Sequence, residues 1–264
     1  MKKLSILLAA AMVCTCASAQ NTQYKLVWSE EFNYSGLPDK NIWTFDTKGN
    51  SYGWGNNEKQ FYTSNDTANA KVENGVLKIT ALKKDTSDKH YTSARLISAN
   101  KQVFQYGRLE IRAKLPAGKG TWPAIWMLGE NKSGVKWPDR GEIDIMEHVG
   151  YQPDSIFGTI HSAAYNHVIG TQKGKGVFIK DPYTAFHVYA IDWTAEKMDF
   201  LMDGVVYYSF ANEHKTVNEW PFSQPFFFIL NLAIGGNWGG KFGIDDSIFP
   251  AVMEIDYVRV YQQQ

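Results

Sequence analysis

Three carboxylic acids crowd one short run of this chain: Glu142, Asp144 and Glu147 in Gly141-Glu142-Ile143-Asp144-Ile145-Met146-Glu147. In an extended strand successive side chains point to opposite faces, so Glu142 and Asp144 share a face that Glu147 does not. One extra residue at Ile145 or Met146, a β-bulge, returns Glu147 to the face of the other two. Three acids on one face cost free energy through mutual repulsion unless they have a task. The chemistry that fits is cleavage of a glycosidic bond with retention, which needs two carboxyl groups about 5 Å apart, one a nucleophile and one an acid. Asp144, between them, would share a proton with Glu142. A solvated acidic edge and a calcium site are the two readings that compete on spacing alone.

The surrounding elements read as strands. Leu77, Ile79 and Ala81 alternate with Lys78 and Thr80, and Leu109, Ile111, Ala113 and Leu115 alternate with Arg108, Glu110, Arg112 and Lys114. A period of two marks strands with one wet face. Asp203-Gly204 separates Met198–Met202 from Val205–Phe210 and signals a two-residue hairpin. The run from Phe226 to Ile234 is apolar almost throughout and reads as a strand buried on both faces. Val252 to Tyr261 reads as the last strand, and Asn212 to Glu219 as one short turn of helix. No long amphipathic helix is legible. Many strands without interposed helices predict an all-β fold, a two-sheet antiparallel β-sandwich whose one sheet bends into a cleft.

Composition narrows the partners. With 27 basic and 27 acidic residues the chain is neutral and has no basic tract, which argues against nucleic acid. Nine Trp and 14 Tyr are more than packing requires, and several stand beside Gly and Asn, a combination that suits the flat faces and hydroxyls of sugars. At the N-terminus Lys2 and Lys3, an apolar run from Leu4 to Val13 and the small residues Ala17-Ser18-Ala19 predict a cleavable signal over residues 1–19, followed by one catalytic domain over 20–264. The apolar run is too short to span about 30 Å of hydrocarbon, and no later stretch is long enough. Cys14 and Cys16 both lie in the leader, so the processed chain would carry no disulfide and would rest on its core. Location outside the cytoplasm follows as an expectation: secreted, periplasmic or at the cell surface.

The acidic run also resembles the signature of the family 16 glycoside hydrolases. The resemblance extends through Trp54-Gly55-Asn56-Asn57-Glu58, Trp122-Pro123-Ala124-Ile125-Trp126-Met127 and Ile255-Asp256-Tyr257-Val258-Arg259-Val260-Tyr261, from about Leu26 to Tyr261. The spacing Glu-x-Asp-x-x-Glu is similar to the laminarinase-type branch; lichenase-type members have one residue fewer before the second Glu. The resemblance implies a β-jelly roll that hydrolyses β-1,3-glucan, with mixed β-1,3/1,4-glucan as a further substrate. It implies Glu142 as nucleophile, Glu147 as acid/base and Asp144 as the assisting acid. Trp122 and Trp126 resemble the aromatic pair that floors the sugar sites, and both even-numbered rings would share a strand face. Asn56, Asn57 and Arg95 stand where polar contacts to hydroxyls are expected. His161, on the strand after the acids, would reach Glu147 or the sugar, and His148 would point the other way. Trp238, among the glycines of Gly235-Gly236-Asn237-Trp238-Gly239-Gly240, is a further sugar contact.

No cofactor is implied for catalysis, and the absence of His-rich spacing argues against zinc. A structural calcium is implied at Glu31, the Gly75 carbonyl and Asp256, against the competing reading that the two carboxylates are ion-paired. The polysaccharide is the expected partner, and a monomer the expected state. Other polysaccharides of the same family, such as agarose or xyloglucan, remain open. Sulfated galactan is disfavoured because Arg140 is the only cation close to the acids in sequence. A glycan-binding jelly roll without catalysis is the rival from another class.

Overall fold

A computed structural model describes residues 24–130 and 134–264; the expected leader, with Cys14 and Cys16, lies outside them. The described chain folds into two β-sheets packed face to face. The seven-stranded sheet runs Lys173–Phe178, Ser155–His161, Glu142–Glu147, Thr121–Gly129, Phe226–Ile234, Arg95–Ile97, Thr44–Phe45. The ten-stranded sheet covers its inner face, with Gly107–Lys114 and Ala251–Gln263 at its centre. The pairs are antiparallel except Gln60–Tyr62 beside Lys89–Ser93, which runs parallel. Among the described residues the only helices are two 3₁₀ turns, Asn50–Gly55 and Asp246–Ile248, and no helix is long and apolar enough to cross a membrane.

The period-two patterns mark the inner faces. Leu77, Ile79, Ala81, Leu109, Ile111 and Ala113 from one sheet meet Ile125, Met127, Ile143 and Ile160 from the other in one apolar core. Burying an aliphatic side chain of this kind stabilises the fold by about 1.5–3 kcal/mol. The Asp203-Gly204 hairpin forms as its sequence predicts: Met202 pairs with Val205, and both turn residues have positive φ, 50° and 79°. Over Asn212 to Glu219 there is a turn but no helix. The amides of Glu219 and Trp220 both donate to the Thr216 carbonyl, while the Glu219 carboxylate takes the Thr216 amide and hydroxyl. That side-chain capture closes a single turn and stops it there.

The strand Phe226–Ile234 is buried at every position because its two faces meet different neighbours. Phe226, Phe228, Leu230, Leu232 and Ile234 enter the main core. Phe227 and Ile229 join a second, smaller apolar cluster with Leu128, against which Trp126 and Trp137 pack. Asn231 is the polar interruption on that second face, and it is 5 % exposed. A buried amide in so apolar a run needs partners, and it finds them beneath the cleft described next.

Candidate active site

The outer face of the seven-stranded sheet floors a cleft of about 1060 Å³. Its centre is the strand Glu142–Glu147. Against Thr121–Gly129 the register runs Glu142 to Leu128, Ile143 to Met127 and Asp144 to Trp126, then jumps to Met146 opposite Ile125 and Glu147 opposite Ala124. The other neighbour shows the same jump, with Asp144 opposite Thr159 and Glu147 opposite Phe157. One residue is extra, as the parity of the acids requires. Ile145 and Met146 consecutively enter the core, and Glu142, Asp144 and Glu147 all line the cleft.

Each outer glutamate is held by an indole. Trp137 Nε1 donates to Glu142 Oε2 at 2.9 Å, and Trp122 Nε1 donates to Glu147 Oε1 at 3.0 Å. Asp144 lies between them and is 3 % exposed. His161 sits opposite Glu142 in the register, with Nε2 3.3 Å from Asp144 Oδ2 and 3.6 Å from Glu142 Oε1. Burial pushes all three carboxyls up to about 8. The Asp144 charge adds to the rise at Glu142 and Glu147, while His161 and the two indoles oppose it. The three acids therefore compete for protons near neutral pH, which is the condition for one to attack as a carboxylate while another donates as an acid.

The aromatic floor is continuous with the acids. Trp122 and Trp126 both line the cleft, as their shared parity predicts. Trp238 lines it too; its ring packs edge-on against Trp122 at 5.6 Å and Phe157 at 5.1 Å. Arg95 is clamped between Trp54 and Trp126, its guanidinium carbon 4.5 and 4.7 Å from their ring centres, with Nε 3.2 Å from Asp46 Oδ2. It is a largely buried member of the cleft wall and not a surface ion pair. Asn56 lines the cleft, and its carbonyl accepts the Asn237 amide at 2.7 Å. Asn57 differs from expectation. It adopts a left-handed φ of 56°, stands outside the cleft lining and donates through Nδ2 to Asn237 Oδ1 at 2.8 Å. It braces Asn237, which lines the cleft.

Other residues join the site without an obvious signal in the sequence. Trp137 reaches Glu142 by folding back from the loop before the strand. His167 lines the cleft with its ring 5.1 Å from Trp137 and 5.3 Å from His161; burial and the His161 charge push its ring below the usual histidine range. His148 is buried on the opposite face, as expected, between the Ser155 carbonyl and the Tyr183 hydroxyl.

The two carboxylates of the implied calcium site are ion-paired. Both Glu31 oxygens take Arg259 at 2.8 Å, and Asp256 Oδ2 takes Arg112 Nη1 at 2.5 Å. Each carboxylate is balanced by a guanidinium, which favours the ion-paired reading over a calcium site. Among the described residues, Glu142, Asp144 and His161 are the one group of three histidine or acidic side chains whose ligand atoms gather within 4.8 Å.

Residues 57–259 match Glycosyl hydrolases family 16. The chain is 49 % identical over 266 residues to a beta-glucanase of Rhodothermus marinus, covering 98 % of this chain and 92 % of that protein. It is 38 % identical to a glucan endo-1,3-beta-glucosidase of Cryptopygus antarcticus, over 94 % of this chain and 95 % of that one. Among solved structures, the laminarinase from Rhodothermus marinus superposes with a TM-score of 0.89 at 48 % identity, covering 93 % of this chain and all of that one.

The buried acids carry a consequence for stability. A carboxyl whose folded value lies above its unfolded one stabilises the fold while it is protonated. That contribution is fully present below the unfolded value and is lost as pH rises through the folded value. Here the window runs from about 4 to about 8. Thermal denaturation followed across that range should show the melting temperature falling as pH rises, with a shallower fall in Asp144→Asn. An Asp144→Asn curve parallel to the wild type would show that Asp144 does not titrate in this window.

Proposed function

From the membership of this chain in glycosyl hydrolase family 16, we propose that it is a retaining endo-glycosidase that hydrolyses β-1,3-glucan of the laminarin type and, in addition, mixed-linkage β-1,3/1,4-glucan. The observation that carries the reading is the bulge. It brings Glu142, Asp144 and Glu147 to one cleft face, with an indole N–H on each of the two outer acids.

Glu142 acts as nucleophile. The Trp137 indole and the His161 ring favour its ionised form, and Asp144 holds the shared proton beside it. Its carboxylate attacks the anomeric carbon while Glu147 gives its proton to the departing glycosidic oxygen. The bond to the leaving sugar breaks as the ester to Glu142 forms. With Glu142 esterified, a negative charge has left the site, and Glu147 becomes the stronger acid. Its carboxylate then takes a proton from water, which attacks the same carbon from the opposite face and frees Glu142. Two inversions give net retention. No catalytic cofactor enters, as holds for hydrolases of this family.

The aromatic floor of Trp122, Trp126 and Trp238 supports polysaccharide as the partner. A glycan-binding role without turnover is not favoured, because such a protein needs the rings but no paired acids. We also propose that the protein acts outside the cytoplasm. The charged start, the short apolar run and Ala17-Ser18-Ala19 support cleavage before Gln20, and a polymer substrate does not cross a cell membrane unaided.

Incubation with laminarin, mixed-linkage glucan, agarose and xyloglucan, followed by sizing of the products, should show internal cleavage of the first two. Glu142→Ala should lower turnover by a factor on the order of 10⁴ or more while still binding the oligosaccharide, and near-normal hydrolysis by that variant would remove the assignment. N-terminal sequencing of the exported protein should begin at Gln20; a cytoplasmic chain retaining the leader would refute export.

A further inference from the structure

Glu58 belongs to the motif Trp54-Gly55-Asn56-Asn57-Glu58, yet the chemistry above gives it no part. It lines the cleft, is 6 % exposed and is pushed upward by burial. Two hydrogen-bond chains end on its Oε2. In one, Trp126 Nε1 donates to Asn231 Oδ1 at 2.7 Å, Asn231 Nδ2 donates to the Tyr62 hydroxyl at 3.0 Å, and that hydroxyl donates to Glu58 at 3.4 Å. In the other, the Ile234 amide donates to Gln60 Oε1 at 2.8 Å, and Gln60 Nε2 donates to Glu58 at 2.6 Å.

The direction of both chains is forced. An indole N–H and a backbone N–H can only donate. Trp126 therefore fixes the orientation of the Asn231 amide, Asn231 makes Tyr62 an acceptor at one side, and Tyr62 must donate at the other. Ile234 fixes Gln60 in the same way. Each chain starts at an obligatory donor and needs an obligatory acceptor at its end. Only a side chain offering an oxygen without a competing proton at that point satisfies both, and Glu58 does. The same Tyr62 is tied to the Asn50–Gly55 turn: its carbonyl accepts from Asn50 Nδ2 at 2.9 Å, its amide donates to Asn50 Oδ1 at 2.9 Å, and Trp54 Nε1 donates to that oxygen at 3.3 Å.

We propose that Glu58 is a positioning residue for glucan binding: it is the common acceptor of the two chains that lock Trp126, Asn231 and the Trp54 turn into one rigid wall of the cleft. The indole edge of Trp126 is thereby turned into the sheet, and its orientation is set before substrate arrives. Trp54 and Trp126 in turn hold Arg95 between them. The polar and aromatic contacts on this side of the acids move together or not at all. Substrate chemistry enters this inference only through the β-glucan reading above; the hydrogen-bond chain itself does not depend on it.

Three variants test it. Glu58→Met removes the acceptor at similar length, Tyr62→Phe cuts the first chain without opening a cavity, and Glu58→Gln can still present one amide oxygen to both chains. The indole N–H proton resonance of Trp126, assigned by its loss in Trp126→Phe, should shift in Glu58→Met and Tyr62→Phe and stay near its wild-type position in Glu58→Gln. KM for laminarin should rise by roughly threefold to tenfold in the first two variants, the range one oriented hydrogen bond commands, with kcat within about twofold. If Glu58→Met does not fold, Tyr62→Phe carries the test. An unmoved Trp126 resonance in the folded variant, or a loss confined to kcat, would overturn the proposal. A wild-type protein inert toward laminarin would defeat the substrate reading instead, and the resonance would still decide the relay.

Discussion

One extra residue in one strand organises this molecule. Side chains in a regular strand alternate, so the run from Glu142 to Glu147 would bury Glu147 in the core beside Ile143 if nothing interrupted it. The bulge removes that outcome by spending two successive positions, Ile145 and Met146, on the apolar side. Both neighbouring strands absorb the same offset. The core thus gains a continuous apolar layer, and the cleft gains three acids in a row. Sheet packing and active-site geometry are two consequences of one register shift.

The cost of that arrangement is electrostatic. Burial raises all three carboxyls in the row, and the Asp144 charge raises Glu142 and Glu147 further, so the row resists ionisation. The surrounding groups offset the cost at the two outer acids: the Trp137 indole at Glu142, the Trp122 indole at Glu147, and His161 at both. The tryptophans thereby serve twice, as hydrogen-bond donors at their edges and as apolar surface on their faces. Trp126 follows the same pattern with Asn231 in place of an acid. This double use accounts for the indoles on the cleft face, in addition to Trp43, Trp193 and Trp220, which are buried in the core.

The fold was largely legible from residue patterns. Alternation marked the strands, Asp203-Gly204 marked its hairpin, and the unbroken run at Phe226–Ile234 marked a strand covered on both sides. The acids and Trp122 with Trp126 were legible because parity along one strand decides which face a side chain takes. What escaped depended on how a loop folds and on contacts between distant segments. Trp137 approaches Glu142 only after its loop folds back, and the Glu58, Tyr62 and Asn231 chain joins segments far apart in sequence. Asn57 has a left-handed backbone and bonds to Asn237, itself in the cleft lining, a contact that its place in the motif did not reveal. Glu31 and Asp256 sit where the implied cation site was expected, but spacing alone did not reveal that Arg259 and Arg112 would occupy their oxygens. The leader expected over residues 1–19 lies outside the described residues.

The retaining reaction turns on which acid bonds to the sugar. A laminaribiosyl donor with fluorine at C2 and an activated leaving group slows hydrolysis of the glycosyl-enzyme ester more than its formation, so the ester accumulates. Proteolysis and mass spectrometry of the trapped protein should then find one glycosyl adduct, carried by Glu142. An adduct on Asp144 or Glu147 would contradict the roles that the bulged strand assigns.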